Sequence, residues 1–132
     1  MPQIELWKVL NIMMHSWDDD EFPFSCYQRN ISRFCIYPTE KLGDIIPYPV
    51  FGLAGESGEV VEVFKKCLRD NGGKLTPEYI EKAKLELGDL MFYVARIMEN
   101  LNLTMDDVLR SNISKLQGRL DRDKLKGSGD LR

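Results

Sequence analysis

The sequence predicts an all-α protein, a single domain built as a bundle of four to five helices. Apolar residues recur at the spacing of one helix face along most of its 132 residues. No stretch alternates apolar and polar residues for long enough to indicate a β-sheet. Helix start and stop signals divide the chain into segments with short connections, which is typical of a helix bundle.

The N-terminal segment predicts a first helix over residues 1–20. Its apolar side chains share one helix face: Ile4, Trp7, Leu10, Met14 and Trp17. An acidic run at residues 18–21 interrupts this pattern. We therefore expect residues 1–24 to form a helical extension of a domain that spans residues 25–132.

A capping pattern predicts the second helix. Ser25 followed by Gln28 has the spacing of a capping box, in which each side chain bonds the backbone amide of the other residue. The helix should end near Tyr37, because Pro38 disfavours a helical conformation of the residue before it. Residues 38–48 contain two prolines and a glycine, which indicates an irregular connection.

Prolines mark the starts of the third and fourth helices. Pro49 can open the third helix, which the Asn-Gly-Gly sequence at residues 71–73 should end. Thr76 then serves as the N-cap of the fourth helix, with Pro77 at its first position. The apolar pattern of the fourth helix continues to about Leu101.

The last predicted helix starts at Thr104, which stands three residues before Asp107 in the spacing of an N-cap and its partner. It should run past Leu116 as far as Gly127, where glycine and serine residues disfavour a helix.

Composition argues against several functional classes. The net charge of −3 excludes a generally basic nucleic-acid surface, and no window is apolar over the length of a membrane span. The three cysteines form no CxxC and the N-terminus has no secretory signal, which is typical of a cytoplasmic protein with reduced thiols. Residues 110–132 carry seven Lys or Arg against three Asp, a charge of +4, so residues 1–109 carry −7. This uneven distribution of charge suits the binding of a polyanion beside an acidic site, and it equally suits a basic tail that is exposed to solvent.

Two acidic pairs point most directly to chemistry. Glu56 and Glu59 form an ExxE, and Glu86 and Asp89 form an ExxD, so each pair places two carboxylates on one helix face. Four carboxylates that converge from two helices would repel one another strongly. Divalent cations, Mg²⁺ first and Mn²⁺ as the alternative, take oxygen ligands and would relieve this repulsion.

The residues around these acids distinguish a site from a solvated helix face. Glu56 falls inside the apolar arc of the third helix, whereas Glu59 lies at its border. The fourth helix is apolar nearly all round, and its polar residues form one narrow stripe: Glu86, Asp89, Tyr93, Arg96 and Asn100. A carboxylate on a core-facing stripe needs a partner, which favours a metal site.

Basic and aromatic residues near the acids are candidates for binding a phosphorylated substrate. Lys66 and Arg69 follow the ExxE pair on a neighbouring face and could reach the phosphates of a nucleotide, with a solvated face as the alternative. Tyr93 is a candidate for stacking on a base, although aromatic residues at helical spacing more often belong to the core. A further set shares one face of the last helix: Asn112, Lys115 and Arg119. The spacing alone favours a face that is exposed to solvent rather than one that binds a substrate.

Three runs of the sequence carry a family resemblance. They read YPVFGLAGESGEVVEVFKKCLRD, ELGDLMFYVARI and SNISKLQGRLDRDKLKGSGDLR. With an ExxE followed after 26 residues by an ExxD, they resemble the MazG-like nucleoside triphosphate pyrophosphohydrolases of the all-α NTP pyrophosphatase superfamily. The resemblance covers roughly residues 26–132.

The resemblance implies a helical domain that forms a homodimer, or a homotetramer of paired dimers, and converts a nucleoside triphosphate to the monophosphate and pyrophosphate. By the family pattern, all four acids would hold Mg²⁺. Lys115 and Arg119, with Asn112, match the family's Asn-x-x-Lys helix, which contributes to the nucleotide pocket.

The predicted mechanism is in-line attack of a metal-oriented water on a phosphorus of the triphosphate, most simply the α-phosphorus, with release of pyrophosphate. Glu59 is the first choice to accept the water's proton, because its border position leaves it less committed to the core, and Glu56 is the second. Open alternatives are a dUTP-like substrate, phosphoribosyl-ATP or a guanosine alarmone. Outside the enzymes, the alternative is a helical module that binds nucleotides without turning them over.

Overall fold

The computed structural model describes residues 24–122 and residue 126, and this part of the chain confirms the all-α prediction. Its helices are α1 (Phe24–Asn30), α2 (Pro47–Asn71), α3 (Pro77–Asn100) and α4 (Met105–Asp121), with a 3₁₀ helix (Ile31–Phe34) that directly continues α1. The predicted helix of residues 1–20 lies outside the described residues. None of the described helices has the length and apolar character that a membrane crossing requires.

The long helices α2 and α3 form an antiparallel hairpin. Helix α2 begins at Pro47, two residues before the predicted start, and ends at Asn71 as predicted. Gly72 adopts a left-handed conformation (φ +57°), which a glycine takes without strain, and the amide of Gly73 donates to the carbonyl of Cys67 (3.1 Å). This tight end sends the chain back along α2 as α3.

The prediction of a capping box at Ser25 is wrong. Ser25 lies inside α1, and the buried side chain of Gln28 makes long-range hydrogen bonds instead. Its amide nitrogen donates to the carbonyl of Leu103 (2.7 Å) and to the carboxylate of Glu99 (3.1 Å), and its oxygen accepts from the amide of Met105 (3.0 Å). These bonds satisfy backbone groups at the α3–α4 connection, which a local pattern of four residues cannot show.

The prediction for the last helix is right at its start and wrong at its end. The hydroxyl of Thr104 accepts a hydrogen bond from the amide of Asp107 (3.1 Å), as an N-cap does. The helix ends at Asp121 rather than near Gly127. Arg122 caps this end: its backbone leaves the helical conformation (φ −92°, ψ 4°), and its amide donates to the carbonyl of Gly118 (3.3 Å).

The core lies where α1, α3 and α4 meet. Ile31, Ala95 and Met105 are buried there, and partly buried side chains pack around them: Tyr27, Met91, Phe92 and Met98. The hairpin itself buries mainly small or medium side chains, among them Val63, Cys67 and Ala83. Many larger apolar side chains of α2, α3 and α4 remain exposed, such as Phe51 (71%), Leu68 (67%) and Ile113 (67%). Within the described residues, a single copy therefore leaves extensive apolar surface uncovered.

Candidate active site

Three carboxylates from the hairpin come together at one point. Glu56 of α2 and Glu86 and Asp89 of α3 each offer an oxygen atom, and these oxygens lie within 4.8 Å of one another. The spacing of Glu86 and Asp89 places both on the face of α3 that meets α2. Converging carboxylate oxygens are the ligands that a hard divalent cation prefers, so the donor set fits such an ion.

The electrostatics of Glu56 support the same interpretation. Burial raises the pKa of its carboxyl group, and repulsion from Asp89, Glu86 and Glu59 raises that pKa further. Because Glu56 is half-buried and faces other acids, its ionised form lacks the water and the counter-charge that would stabilise it. A cation bound among these oxygens would supply that counter-charge.

Glu59 lies apart from this close set. Its side chain is exposed and lines a groove of about 340 Å³ between α2 and α3, together with Lys66, Lys82 and Glu86. Lys66 pairs with Glu62 in this groove (3.4 Å). Glu59 therefore lies beside the acidic cluster rather than within it, and it shares the groove with Glu86.

Arg69 is paired with its sequence neighbour. Its Nε and one terminal nitrogen donate to the two carboxylate oxygens of Asp70 (2.6 and 2.7 Å). Its guanidinium is thus directed at an exposed carboxylate near the end of α2, about three turns beyond the acids of the ExxE pair.

A cavity of about 630 Å³ opens next to the acidic cluster. Glu56 and Asp89 form one end of it, and the remaining side chains are apolar or aromatic: Tyr27, Ile31, Phe34, Phe92 and Tyr93. These side chains come from α1, the 3₁₀ helix and α3, so the core packing of these elements sets the shape of the cavity. The combination of planar aromatic walls and an acidic end suits a ligand with a flat apolar part and a phosphorylated, metal-binding part.

Tyr93 stands between the cavity and helix α2. Its ring lies so close to the α2 backbone that a Cβ atom at Gly52 would overlap it, so glycine is required there for this approach. Burial raises the pKa of the Tyr93 hydroxyl, and nearby Tyr48 and Glu56 raise it further. The hydroxyl therefore stays protonated at neutral pH and can donate a hydrogen bond.

A second aromatic group lies behind these walls. Tyr37 stacks on Tyr48 with ring centroids 4.8 Å apart, and its ring contacts Phe92 edge-on at 6.4 Å. The hydroxyl of Tyr37 accepts a hydrogen bond from Nε of Arg96 (3.2 Å). Arg96 is itself buried, with 8% of its surface exposed.

The predicted basic residues of the last helix lie on a different part of the chain. Helix α4 packs mainly against α1, and an open cleft of about 580 Å³ lies along it. Lys115 lines this cleft together with two arginines, Arg110 and Arg122. Asn112 is exposed and Arg119 is buried. Within a single copy, the residues of α4 do not line the cavity beside the acidic cluster.

Sequence reasoning missed several residues of this site. Tyr27, Phe34 and Phe92 form cavity walls, but apolar periodicity does not show what such side chains face. Arg96 had a usable signal, because it continues the narrow polar stripe of the fourth helix one turn beyond Tyr93. An arginine on a helix that is apolar nearly all round requires a partner, so its place on this stripe distinguishes it from a solvated arginine.

Comparisons with known proteins agree with this geometry. The chain matches the family model described as the MazG nucleotide pyrophosphohydrolase domain over residues 40–122. It is 41% identical over 109 residues to the Gene 37 protein of Mycobacterium phage L5, in an alignment that covers 80% of this chain and 96% of that protein. No solved structure matches the chain. The family match includes the acidic cluster and Tyr93, whereas the α1 side of the cavity lies before it.

Proposed function

Because the chain belongs to the MazG nucleotide pyrophosphohydrolase family, we propose that it hydrolyses a nucleoside triphosphate, ribo or deoxy, to the monophosphate and pyrophosphate. One observation carries the proposal: Glu56, Glu86 and Asp89 converge at the end of a cavity with aromatic walls. The acids suit a metal-bound triphosphate, and the walls suit a base. Neither feature alone would point to a nucleotide.

Glu56, Glu86 and Asp89 would hold Mg²⁺, or Mn²⁺ as the alternative, with Glu59 nearby as the fourth acid of the family pattern. When bound, the ion would neutralise phosphate oxygens and make a water more acidic. The overall reaction adds one water across the bond between the α-phosphorus and its bridging oxygen, and pyrophosphate leaves with that oxygen.

The protein's own residues would orient the nucleotide and take up the proton. Phe34, Phe92 and Tyr93 would stack against the base, which directs the triphosphate toward the acids. Glu59 remains our first choice for the base that accepts the water's proton. Its place outside the close set of oxygens leaves its carboxylate available for that role, whereas Glu56 is the second choice because it belongs to the set.

The basic residues would contact the phosphates beyond the α position. Lys66 lines the groove that adjoins Glu86, which suits contact with the leaving pyrophosphate once its pairing with Glu62 is exchanged. Arg69 would have to give up its ion pair with Asp70 in order to contact a phosphate. Asn112, Lys115 and Arg119 would contribute if α4 of a second copy approached the cavity.

We also propose that the chain is a homo-oligomer, a dimer or a pair of dimers. The exposed apolar residues of the hairpin include Val61, Phe64 and Leu68, which lie along α2 at spacings of three and four residues. This stripe suits packing against the same stripe of a second copy. Size-exclusion chromatography with light scattering would give the mass directly.

The test of the function is product analysis. The purified full chain would be incubated with Mg²⁺ and a panel of ribo- and deoxynucleoside triphosphates, with phosphoribosyl-ATP and a guanosine alarmone included. Monophosphate and pyrophosphate in equal amounts are expected from at least one triphosphate. Diphosphate and orthophosphate as products would contradict the proposed site of bond cleavage. Tight binding without any turnover would favour the alternative of a helical module that binds nucleotides without turning them over.

A further inference from the structure

Gly88 is a glycine in the interior of α3 that the packing of the described residues does not explain. Its backbone is helical, so an alanine can adopt the same conformation. Glycine is less favourable than alanine inside a helix, because it loses more conformational freedom on folding. A Cβ atom at Gly88 would meet no described atom within 4 Å, apart from its chain neighbours and the backbone of its own helix. Gly52 differs, because the Tyr93 ring occupies the corresponding space there.

The open space above Gly88 belongs to the cavity beside the acidic cluster. Gly88 lines this cavity and directly precedes Asp89. It shares one face of α3 with Phe92 and Ala95, which follow it by four and seven residues. The core covers Ala95 completely (0% exposed) and packs against the partly buried Phe92, whereas Gly88 is exposed. The described residues therefore cover this face as far as Phe92 and leave the helix backbone bare at Gly88.

We propose that the sugar of the nucleotide packs directly on the backbone of α3 at Gly88. This inference rests on the proposed function, since it takes the phosphates to lie at the acidic cluster and the base to lie against the aromatic walls. Gly88 adjoins both places. Asp89 is its neighbour in the chain, and Phe92 lies one turn further, about 6 Å along the helix, with a side chain that leans back toward Gly88. The sugar is the part of a nucleotide that joins the triphosphate to the base, so it falls at the residue that adjoins both.

A sugar in this place explains why the residue is a glycine. Atoms in contact lie about 3.5–4.0 Å apart, so a sugar that rests on the bare backbone occupies the space in which a Cβ atom would stand. A methyl group there would lift the sugar away from the helix and displace the phosphates or the base. The backbone groups of Gly88 already take part in the hydrogen bonding of α3, so the contact selects by shape rather than by hydrogen bonds.

Alanine substitutions test this contact by separating stability from binding. Gly88→Ala should raise the melting temperature of the ligand-free protein by about 2–4 °C, because alanine favours the helix and meets open space. It should nevertheless weaken nucleotide binding by about tenfold, because the added methyl group overlaps the sugar. Gly88→Leu introduces another good helix former with a larger side chain and should weaken binding further.

Gly58→Ala is the matched control. Gly58 lies in the interior of α2, has open space at its Cβ position and does not line the cavity. The variant should gain about the same stability as Gly88→Ala and bind nucleotide as the wild-type protein does. Binding would be measured by calorimetric titration in Mg²⁺ with the non-hydrolysable α,β-imido analogue of dGTP. Equal affinity of Gly88→Ala and the wild-type protein for this analogue would overturn the inference.

Two probes without a sugar ring distinguish a contact with the sugar from a contact with the phosphates or the base. Tripolyphosphate has neither sugar nor base, and an acyclic analogue of dGTP joins guanine to the triphosphate through a flexible chain. The affinities of the wild-type protein and Gly88→Ala for each probe should differ by less than about twofold. A tenfold loss with either probe would overturn the sugar contact. A change of oligomeric mass in Gly88→Ala would also overturn it, because a second copy would then cover Gly88.

The same variants distinguish failure of this inference from failure of the proposed function. Loss of dGTP-analogue affinity in Gly88→Ala, with both probes unaffected, supports the sugar contact even if no triphosphate is hydrolysed. Turnover of a triphosphate with equal kcat/KM in Gly88→Ala and the wild-type protein would overturn the sugar contact and leave the hydrolase function intact.

Discussion

The acidic cluster and the cleft of α4 both gather charges of one sign, but they are built differently. Glu56, Glu86 and Asp89 converge from two packed helices, so their repulsion acts over short distances and partly out of water. Arg110 and Lys115 are exposed on one helix, where solvent screens them at little cost. The difference shows that convergence, rather than the number of charges, sets the acidic cluster apart as the candidate site.

The largest effect is expected from a substitution in the acidic cluster, whose carboxylates converge. Asp89→Asn keeps the size of the side chain and removes a charge from the proposed metal site, so the proposed release of pyrophosphate should fall by at least about 100-fold. Glu81→Gln is the control, because Glu81 is an exposed acid of the same helix that pairs with Lys84. If Asp89→Asn kept most of the activity, the cluster would be no more functional than the α4 cleft.

A packing change tests how closely the cavity depends on the hairpin. Gly52→Ala places a Cβ in the Tyr93 ring, so the ring must move, and we expect the free energy of unfolding to fall by about 2 kcal/mol. Gly58→Ala is matched to it, since it lies on the same helix with open space at the Cβ position and should stabilise the protein by about 0.5–1 kcal/mol. Urea unfolding measures both. Equal stability of the two variants would contradict the close approach of Tyr93 to α2.

The α4 cleft offers a smaller expected effect. If Lys115 contacts a phosphate in the assembled protein, Lys115→Met should raise KM about tenfold, because one charge-assisted hydrogen bond is lost. Lys74→Met removes another exposed lysine, from the α2–α3 connection, and should not change KM. An unchanged KM in Lys115→Met would show that the cleft is a solvated surface without a role in binding, unlike the acidic cluster.

The smallest expected effect concerns the protein without metal. The pKa of Glu56 is raised in the folded state, so the stability that its protonated form contributes is present at low pH and is lost as pH rises through that pKa. Glu56→Gln should therefore raise the melting temperature of the metal-free protein by a few degrees at pH 7 and less at pH 4. It should also reduce the stabilisation by Mg²⁺. Glu59→Gln should show a smaller gain, because Glu59 lies outside the close set of oxygens.

The parts of the fold and site that could be predicted are those with a local cause. The pairing of Glu86 with Asp89, the N-cap at Thr104 and the turn at Gly72 follow from residues within four positions of one another. The hydrogen bond between Arg96 and Tyr37 joins residues 59 positions apart, and no local pattern specifies it.

Long-range contacts also decide where predicted residues finally lie. The helical periodicity of α2 predicts that Glu59 lies at the border of its apolar arc. The packing of α2 against α3 is what directs the side chain to the groove beside Glu86. The packing of α4 on α1 keeps Lys115 away from the acidic cavity within one copy. Spacing along a helix defines a face, but what that face meets depends on the tertiary fold.

The hydrogen bonds of Gln28 connect the cavity wall to a distant backbone. Gln28 adjoins Tyr27 in α1, and it holds the amide of Met105, the first residue of α4. Fluctuations that open the Tyr27 wall must therefore also loosen the first turn of α4. A ligand that fills the cavity should slow hydrogen–deuterium exchange at Met105, a backbone position that lines no part of the cavity itself.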